Sequence, residues 1–217
     1  MKHARNIAEI LLEKQAVTLN LDEPYTYASG IRSPIYCDNR RLMFFPDARK
    51  TVCAAFCEEV AAFNPDVIAG TATSAVPWAA WAASCTDKPM VYIRKTAKGY
   101  GKQKLIEGGD IQGKTVVVLE DLVSTGGSSL NAVRACQEAG GAVLAMIAIF
   151  TYEFADAPQK FAEAGCEIRF LTNFSALIQA AAARGALSPE QLAMAQAWNR
   201  DPQNWGPQHG FPNAASA

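Results

Sequence analysis

"GGDIQGKTVVVLEDLVSTGGSS", Gly108 to Ser129, holds two glycine-rich pieces, and each offers backbone to a phosphate. The first, Gly108 to Thr115, has the spacing G-x-x-x-x-G-K-T of an ATP-binding P-loop. Such a loop needs a strand entering the turn and a helix leaving it, so that N–H groups converge on the phosphates. Here Lys114 and Thr115 lead into a strand, Thr115–Leu119, and no helix begins. The match is an accident of spacing, and Gly108, Gly109 and Gly113 belong to a turn ahead of the strand. The second piece has the required context. The strand Val116–Leu119 ends in Glu120 and Asp121, a short turn runs from Leu122 to Gly127, and a helix starts near Ser128. Ser124 and Thr125 supply hydroxyls, Gly126 and Gly127 let the backbone approach an anion, and the helix N-terminus adds aligned donors. This is the make-up of a monophosphate cradle. Two carboxylates beside a phosphate repel it, so they are expected to hold ribose hydroxyls or a magnesium ion next to it. Read alone, Glu120 is equally a solvated acid and Asp121 a cap on the turn.

Working outward, strand and helix alternate from about residue 65. "DVIAG" is a short apolar strand, and "SAVPWAAWAASC" a helix with Pro77 in its first turn, where a missing N–H does no harm. "MVYIRK" and "KTVVVLED" are strands, the second continuous enough to be buried on both faces. "GGSSLNAVRACQEAGG" is a helix closed by Gly140–Gly141. "AVLAMIAIFT", "APQKFAEAG" and "CEIRFLT" continue as strand, helix, strand, with helices around 174–185 and 188–199. The expected fold is α/β, a twisted, mainly parallel sheet flanked by helices. Residues 1–64 differ: an amphipathic helix carrying Ile7, Ile10 and Leu11, a Tyr/Ser/Pro-rich stretch, then the helix "PDARKTVCAAFCEEVAAF". They are expected to form a small N-terminal hood lobe. Residues 65–200 form the core, and 201–217 an irregular tail.

Composition removes several functions. The formal net charge of −1 leaves nucleic-acid binding without electrostatic support. No apolar run reaches the roughly 18–20 residues of a membrane span, and the N-terminus lacks a signal-peptide pattern. A cytoplasmic protein follows. The six cysteines, Cys37, Cys53, Cys57, Cys85, Cys136 and Cys166, include no C-x-x-C pair. They are expected to be reduced thiols rather than ligands or disulfides.

The string of aliphatics, E-D, two aliphatics and S-T-G-G-S resembles the PRPP-binding motif of type I phosphoribosyltransferases. The resemblance implies that Glu120 and Asp121 hold the ribose. It gives the 5-phosphate to the turn that follows Leu122 and Val123, namely Ser124, Thr125, Gly126, Gly127 and Ser128. Two further stretches point to the orotate enzymes. "YIRKTAKGYGKQKLIEGG", Tyr92 to Gly109, carries cations among glycines and, by itself, reads as a solvated basic loop. It resembles the catalytic lid R-K-x-x-K of orotate phosphoribosyltransferases, which makes Arg94, Lys95 and Lys98 pyrophosphate contacts. With Asp121 they form the expected catalytic set. In that family the lid reaches the other subunit of a homodimer. "YTYASGIRSPIYCDNRRL" resembles the orotate segment S-G-x-K/R-S-P-x-Y-x-D and implicates Arg32 and Tyr36, with Ser124, around orotate. Thr71, Ala72, Thr73 and Ser74 fall at the pyrophosphate loop and are expected to contact pyrophosphate, although Thr73 and Ser74 stand where some members have Y-K.

The chain departs from the family at several places. Tyr100, a PRPP contact here, stands where the lid usually has His. Ala28 replaces a Lys found in some members, and Thr151 and Tyr152 fall where some carry Arg. The resemblance spans roughly residues 5 to 200. It implies transfer of phosphoribose from PRPP to orotate with Mg²⁺ held mainly by PRPP, without nucleic-acid or membrane partners. A transferase for another base and a PRPP-sensing regulator are the alternatives.

Overall fold

The computed structural model describes residues 2–27, 29–96 and 105–214. Among these residues, ten strands and eight α-helices follow in chain order. The helix α1 (Ala4–Glu13) precedes β1 (Val17–Leu19), β2 (Tyr25–Thr26), β3 (Arg32–Ser33) and β4 (Ile35–Cys37). A 3₁₀ turn over Asn39–Phe44 leads into α2 (Pro46–Phe63). Then come β5 (Val67–Thr71), α3 (Val76–Thr86), β6 (Met90–Ile93), β7 (Ile106–Glu107), β8 (Thr115–Val123) and α4 (Gly127–Glu138). The chain continues through β9 (Ala142–Thr151), α5 (Asp156–Glu163), β10 (Glu167–Asn173), α6 (Phe174–Ala183), α7 (Pro189–Arg200) and α8 (Pro202–Gln208).

Six strands form the central sheet in the order β10-β9-β8-β5-β6-β7. All neighbours run parallel except β7, which returns antiparallel to β6. The central strand β8 has Val116, Val117, Val118 and Leu119 fully buried, as a strand covered on both faces requires. Alternation then sorts the side chains. Val117, Leu119, Ile147 and Ile149 meet α1, α2, α3, α6 and α7 in one cluster. Val116, Val118, Met146 and Ala148 meet α4 and α5 in the other. Each such valine, leucine, isoleucine or methionine contributes about 1.5–3 kcal/mol through burial. The α2 helix starts on Pro46 and stops where Asn64 turns left-handed, at φ 44°.

Four expectations need correction. The turn expected from Leu122 begins later, because pairing with β9 carries β8 past Glu120 and Asp121 to Val123. Residues 201–217 are not simply irregular, because Pro202 opens α8 and the Asp201 carboxylate accepts from the Asn204 amide as its cap. The helices α1 and α2, assigned to the small lobe, share one buried cluster with the sheet, through Ile7, Leu11, Val52 and Phe56. The hood proper is two antiparallel ribbons, β1–β4 and β2–β3, outside the central sheet but joined to the same cluster through Val17 and Ile35. Finally, Cys57 and Cys85 are joined by a disulfide between α2 and α3. Cys37, Cys53, Cys136 and Cys166 are free thiols, as expected. The pairing was hidden because 28 residues separate the two cysteines and only the packing of α2 on α3 makes them neighbours.

Candidate active site

A cavity of about 440 Å³ opens at the carboxyl ends of β5, β6 and β8. Ligands bind at this end of open α/β sheets, where loops and helix N-termini converge. The β5 end supplies Thr71, Ala72 and Ser74, and the β6 end supplies Arg94 and Lys95. From β8 come Glu120, Asp121 and Leu122, from α4 Ser128, and from the hood Cys37, Asp38 and Arg40.

Glu120 is 8% exposed. Its Oε1 accepts from the Thr71 hydroxyl at 2.7 Å and from the Asp121 amide at 2.9 Å. Its Oε2 accepts from the Ser129 hydroxyl at 3.3 Å. Burial, and then the neighbouring Asp121 charge, push its pKa up to about 7, while the Thr71 hydrogen bond pulls the other way. Asn39, fully buried in the hood, donates its side-chain amide to the Asp121 carbonyl at 2.6 Å. This bond ties the hood to the end of β8. Arg40 holds Asp38 through two contacts, Nε to Oδ1 at 2.6 Å and a second nitrogen to Oδ2 at 3.1 Å. That pairing lowers the Asp38 carboxyl. Burial, and then Asp121, raise the Cys37 thiol.

The turn after β8 is built as a helix entry. Gly126 sits before α4 with φ 82°, and a Cβ there would lie 3.2 Å from that of Ala157. Lys160 of α5 donates to the Thr125 carbonyl at 3.2 Å. Val123 is buried beneath the turn. Ser124, Thr125 and Gly126 make the turn itself and Gly127 opens α4; none of the four lines the 440 Å³ cavity, whereas Ser128 does. The other glycine-rich piece has no helix after it. Thr115 enters β8, and its hydroxyl and amide both bond the Asp66 carboxylate.

Of the remaining predicted residues, Thr73 is exposed beside the cavity wall, and the Ala72–Thr73 peptide is cis. Arg94 pairs with Glu107 at 3.5 Å. Lys98 and Tyr100 lie outside the described residues. Arg32 and Tyr36 are not brought into this cavity. The Arg32 side chain donates to the Thr26 hydroxyl at 2.7 Å and to the Pro212 carbonyl at 3.0 Å. Tyr36 is 45% exposed, with its ring 5.6 Å from that of Tyr25. Sequence reasoning gave no role to Asp38, the last residue of the hood motif, or to Asn39 and Arg40 directly after it. Their signal was three polar side chains beside an apolar strand. Tyr152, at the end of β9, is buried with its hydroxyl 3.2 Å from that of Tyr27. That Tyr27–Tyr152 contact is a second tie between hood and sheet, and within the hood the Tyr27 hydroxyl also donates to the Ile35 carbonyl at 2.8 Å.

A mainly parallel sheet that brings an acidic pair and two cations to one cavity, beside a glycine-rich turn at the start of α4, has the make-up of the phosphoribosyltransferase class. Residues 50–170 match the model of the phosphoribosyl transferase domain. An orotate phosphoribosyltransferase of Listeria monocytogenes is 45% identical over 208 residues, covering 95% of this chain and all of that one. The namesake of Coxiella burnetii is 45% identical over 209 residues, with the same coverage. Among solved structures, the orotate phosphoribosyltransferase of Aeropyrum pernix superposes with TM-score 0.70 at 26% identity, covering 84% of this chain and 99% of its own. The UMP synthase of Leishmania donovani gives TM-score 0.76 at 25% identity, covering 90% of this chain and 42% of that one. The chain belongs to the orotate phosphoribosyltransferase family.

Proposed function

We propose that this protein transfers the phosphoribosyl group of PRPP to orotate, giving orotidine 5′-phosphate and pyrophosphate, a step of pyrimidine biosynthesis. One observation carries the reading. The acidic pair Glu120–Asp121, the Thr71–Ser74 turn and the cations Arg94 and Lys95 share a single cavity at the carboxyl end of the sheet.

The reaction breaks the bond from the anomeric carbon to pyrophosphate and forms one to the orotate ring nitrogen. Positive charge builds on the ribose and negative charge on the leaving group. No protein nucleophile is needed, so catalysis rests on position and charge. Asp121, facing the cavity from β8, steadies the ribose and its developing charge. Arg94, Lys95 and Lys98 receive the departing pyrophosphate, with backbone and hydroxyls of Thr71 to Ser74. Ser124 to Ser128 seat the 5-phosphate at the start of α4. Orotate lies between the hood and the end of β8, where Asp38, Arg40 and Leu122 line the cavity and Ser124 and Tyr36 do not. Because the Arg32 guanidinium is committed to Thr26 and Pro212, Arg40 is the hood cation on the cavity.

The donor set fits Mg²⁺ with a small protein share. Both Glu120 oxygens already accept hydrogen bonds and Asp38 is held by Arg40. Asp121 is therefore the carboxylate to hold the ion, with PRPP supplying most ligands. When bound, Mg²⁺ neutralises pyrophosphate charge. We further infer a cytoplasmic homodimer in which each lid, with Lys98 and Tyr100, serves the partner's site.

The test mixes purified protein, PRPP and Mg²⁺ with orotate, and in parallel with uracil, adenine and hypoxanthine. Orotate absorbance is expected to fall, with no product from the other bases. Consumption of another base in preference to orotate overturns the assignment. Excess chelator is expected to stop the reaction and added Mg²⁺ to restore it. Full activity in chelator removes the metal from the account.

A further inference from the structure

On the helical face away from the catalytic cavity, α2 and α3 bring three sulfurs together. Cys53 and Cys57 lie four apart on α2, so they share one face of the helix, and their Sγ atoms are 3.9 Å apart. Cys85, in the last turn of α3, completes the group. All three sulfurs lie within 4.8 Å of one another. In the structure Cys57 and Cys85 are joined as a disulfide, with their Cα atoms 6.6 Å apart. Cys53 is left as a thiol beside that bond.

The surroundings suit a soft cation on sulfur. The group opens onto a cavity of about 610 Å³ whose wall carries no carboxylate and two cations, Arg49 and Lys50. Three thiolates around a divalent ion leave one surplus negative charge, and these cations offset it. Arg49 is itself fixed, with its guanidinium 5.2 Å from the centre of the Trp81 ring and donating to the Met43 carbonyl. Hard ions such as Mg²⁺ prefer oxygen donors, so this site and the catalytic one select different metals. Cys85 is exposed while Cys53 and Cys57 are half-buried, which leaves an entry path and room for water as a fourth ligand.

We propose that Cys53, Cys57 and Cys85, when reduced, form a three-thiolate site for a thiophilic d¹⁰ cation such as Zn²⁺, and that the Cys57–Cys85 disulfide is its oxidised, metal-free state. Two equivalents of a low-molecular-weight thiol reduce the disulfide, giving two protein thiols and one small-molecule disulfide. The metal then displaces three protons from the three thiols and forms three metal–sulfur bonds.

The full chain is reduced with a trialkylphosphine, freed of reductant without air, and titrated with Zn²⁺ against a chromophoric chelator. One tight Zn²⁺ per reduced chain is expected, and none for the disulfide form. Cys85→Ser, at an exposed position, and Cys53→Ser are each expected to abolish tight binding while retaining phosphoribosyl transfer. Co²⁺ in place of Zn²⁺ should show a thiolate-to-metal charge-transfer band that both variants lack. Equal Zn²⁺ uptake by the reduced protein and the two variants overturns the proposal. So does uptake by the disulfide form, or a cobalt spectrum without thiolate character. Because the readout is metal stoichiometry and spectrum, the result stands apart from the outcome of the orotate assay.

Discussion

Glu120 keeps a carboxyl group in a nearly dry position, where its two oxygens accept three hydrogen bonds. Its raised pKa is a statement about stability. The folded form titrates at about 7, against an ordinary value of 4.5. Between those two values the folded state binds more protons than the unfolded one. The stabilisation is therefore complete below the ordinary value and is lost as pH rises through about 7. Glu120→Gln resembles the protonated group, since its amide oxygen still accepts from Thr71 and Asp121 while its NH₂ faces the Ser129 oxygen. The ligand-free variant should be more stable than the parent at alkaline pH, by about 1–3 kcal/mol, and nearly equal to it in acid. Urea unfolding at two pH values checks this, and an equal difference at both contradicts it. At this scale the acidic pair was legible because E-D ahead of S-T-G-G-S is a dense local string. The partners of Glu120 were not, because Thr71 is 49 residues distant and the contact exists only once β5 pairs with β8. Asn39 reaches Asp121 across 82 residues for the same reason.

Elements read most clearly where one pattern decided them. The β9 strand is a single apolar run and α2 has a proline start, and both came out of the sequence with their observed ends. The hood strands, of two or three residues, have no such signal and exist through tertiary support. That support comes largely from the tail. The Ala214 amide donates to the Gly30 carbonyl at 2.9 Å, and the Asn213 side chain accepts from the Arg32 amide. In α8, a Cβ on Gly206 would lie 2.6 Å from the Phe211 carbonyl and 2.8 Å from the Arg32 Cβ. Gly206→Ala should therefore cost about 1–3 kcal/mol by overpacking, although alanine is the better helix former. Thermal or urea unfolding measures the loss, and a more stable variant contradicts close packing of α8 on Arg32 and Phe211. Gly126→Ala should also destabilise, because its φ of 82° excludes most side chains and Ala157 crowds it. Open space around Gly127 predicts a smaller loss for Gly127→Ala.

For the molecule as a whole, the alternation of strand and helix made the parallel sheet legible, since a continuous β-branched strand such as β8 demands cover on both faces. The edge strand β7, of two residues, and the disulfide between α2 and α3 were not, because both depend on packing between distant segments. A lid shared between subunits makes a prediction at this scale. Lys98→Ala and Asp121→Ala should each lose activity, by about 10²–10³-fold for a single charge contact. Mixed after co-refolding, the two should recover roughly a quarter of the parental rate, because half the dimers are hybrids and each hybrid keeps one intact site. No recovery on mixing contradicts the shared lid.

The most direct test of the central claim is a crystal of the protein with PRPP and Mg²⁺. The 5-phosphate should lie against Ser124 to Ser128 at the start of α4, with the ribose hydroxyls toward Asp121 and the pyrophosphate toward Thr71–Ser74 and Arg94. A 5-phosphate bound anywhere else, above all at Gly108–Thr115, would contradict it.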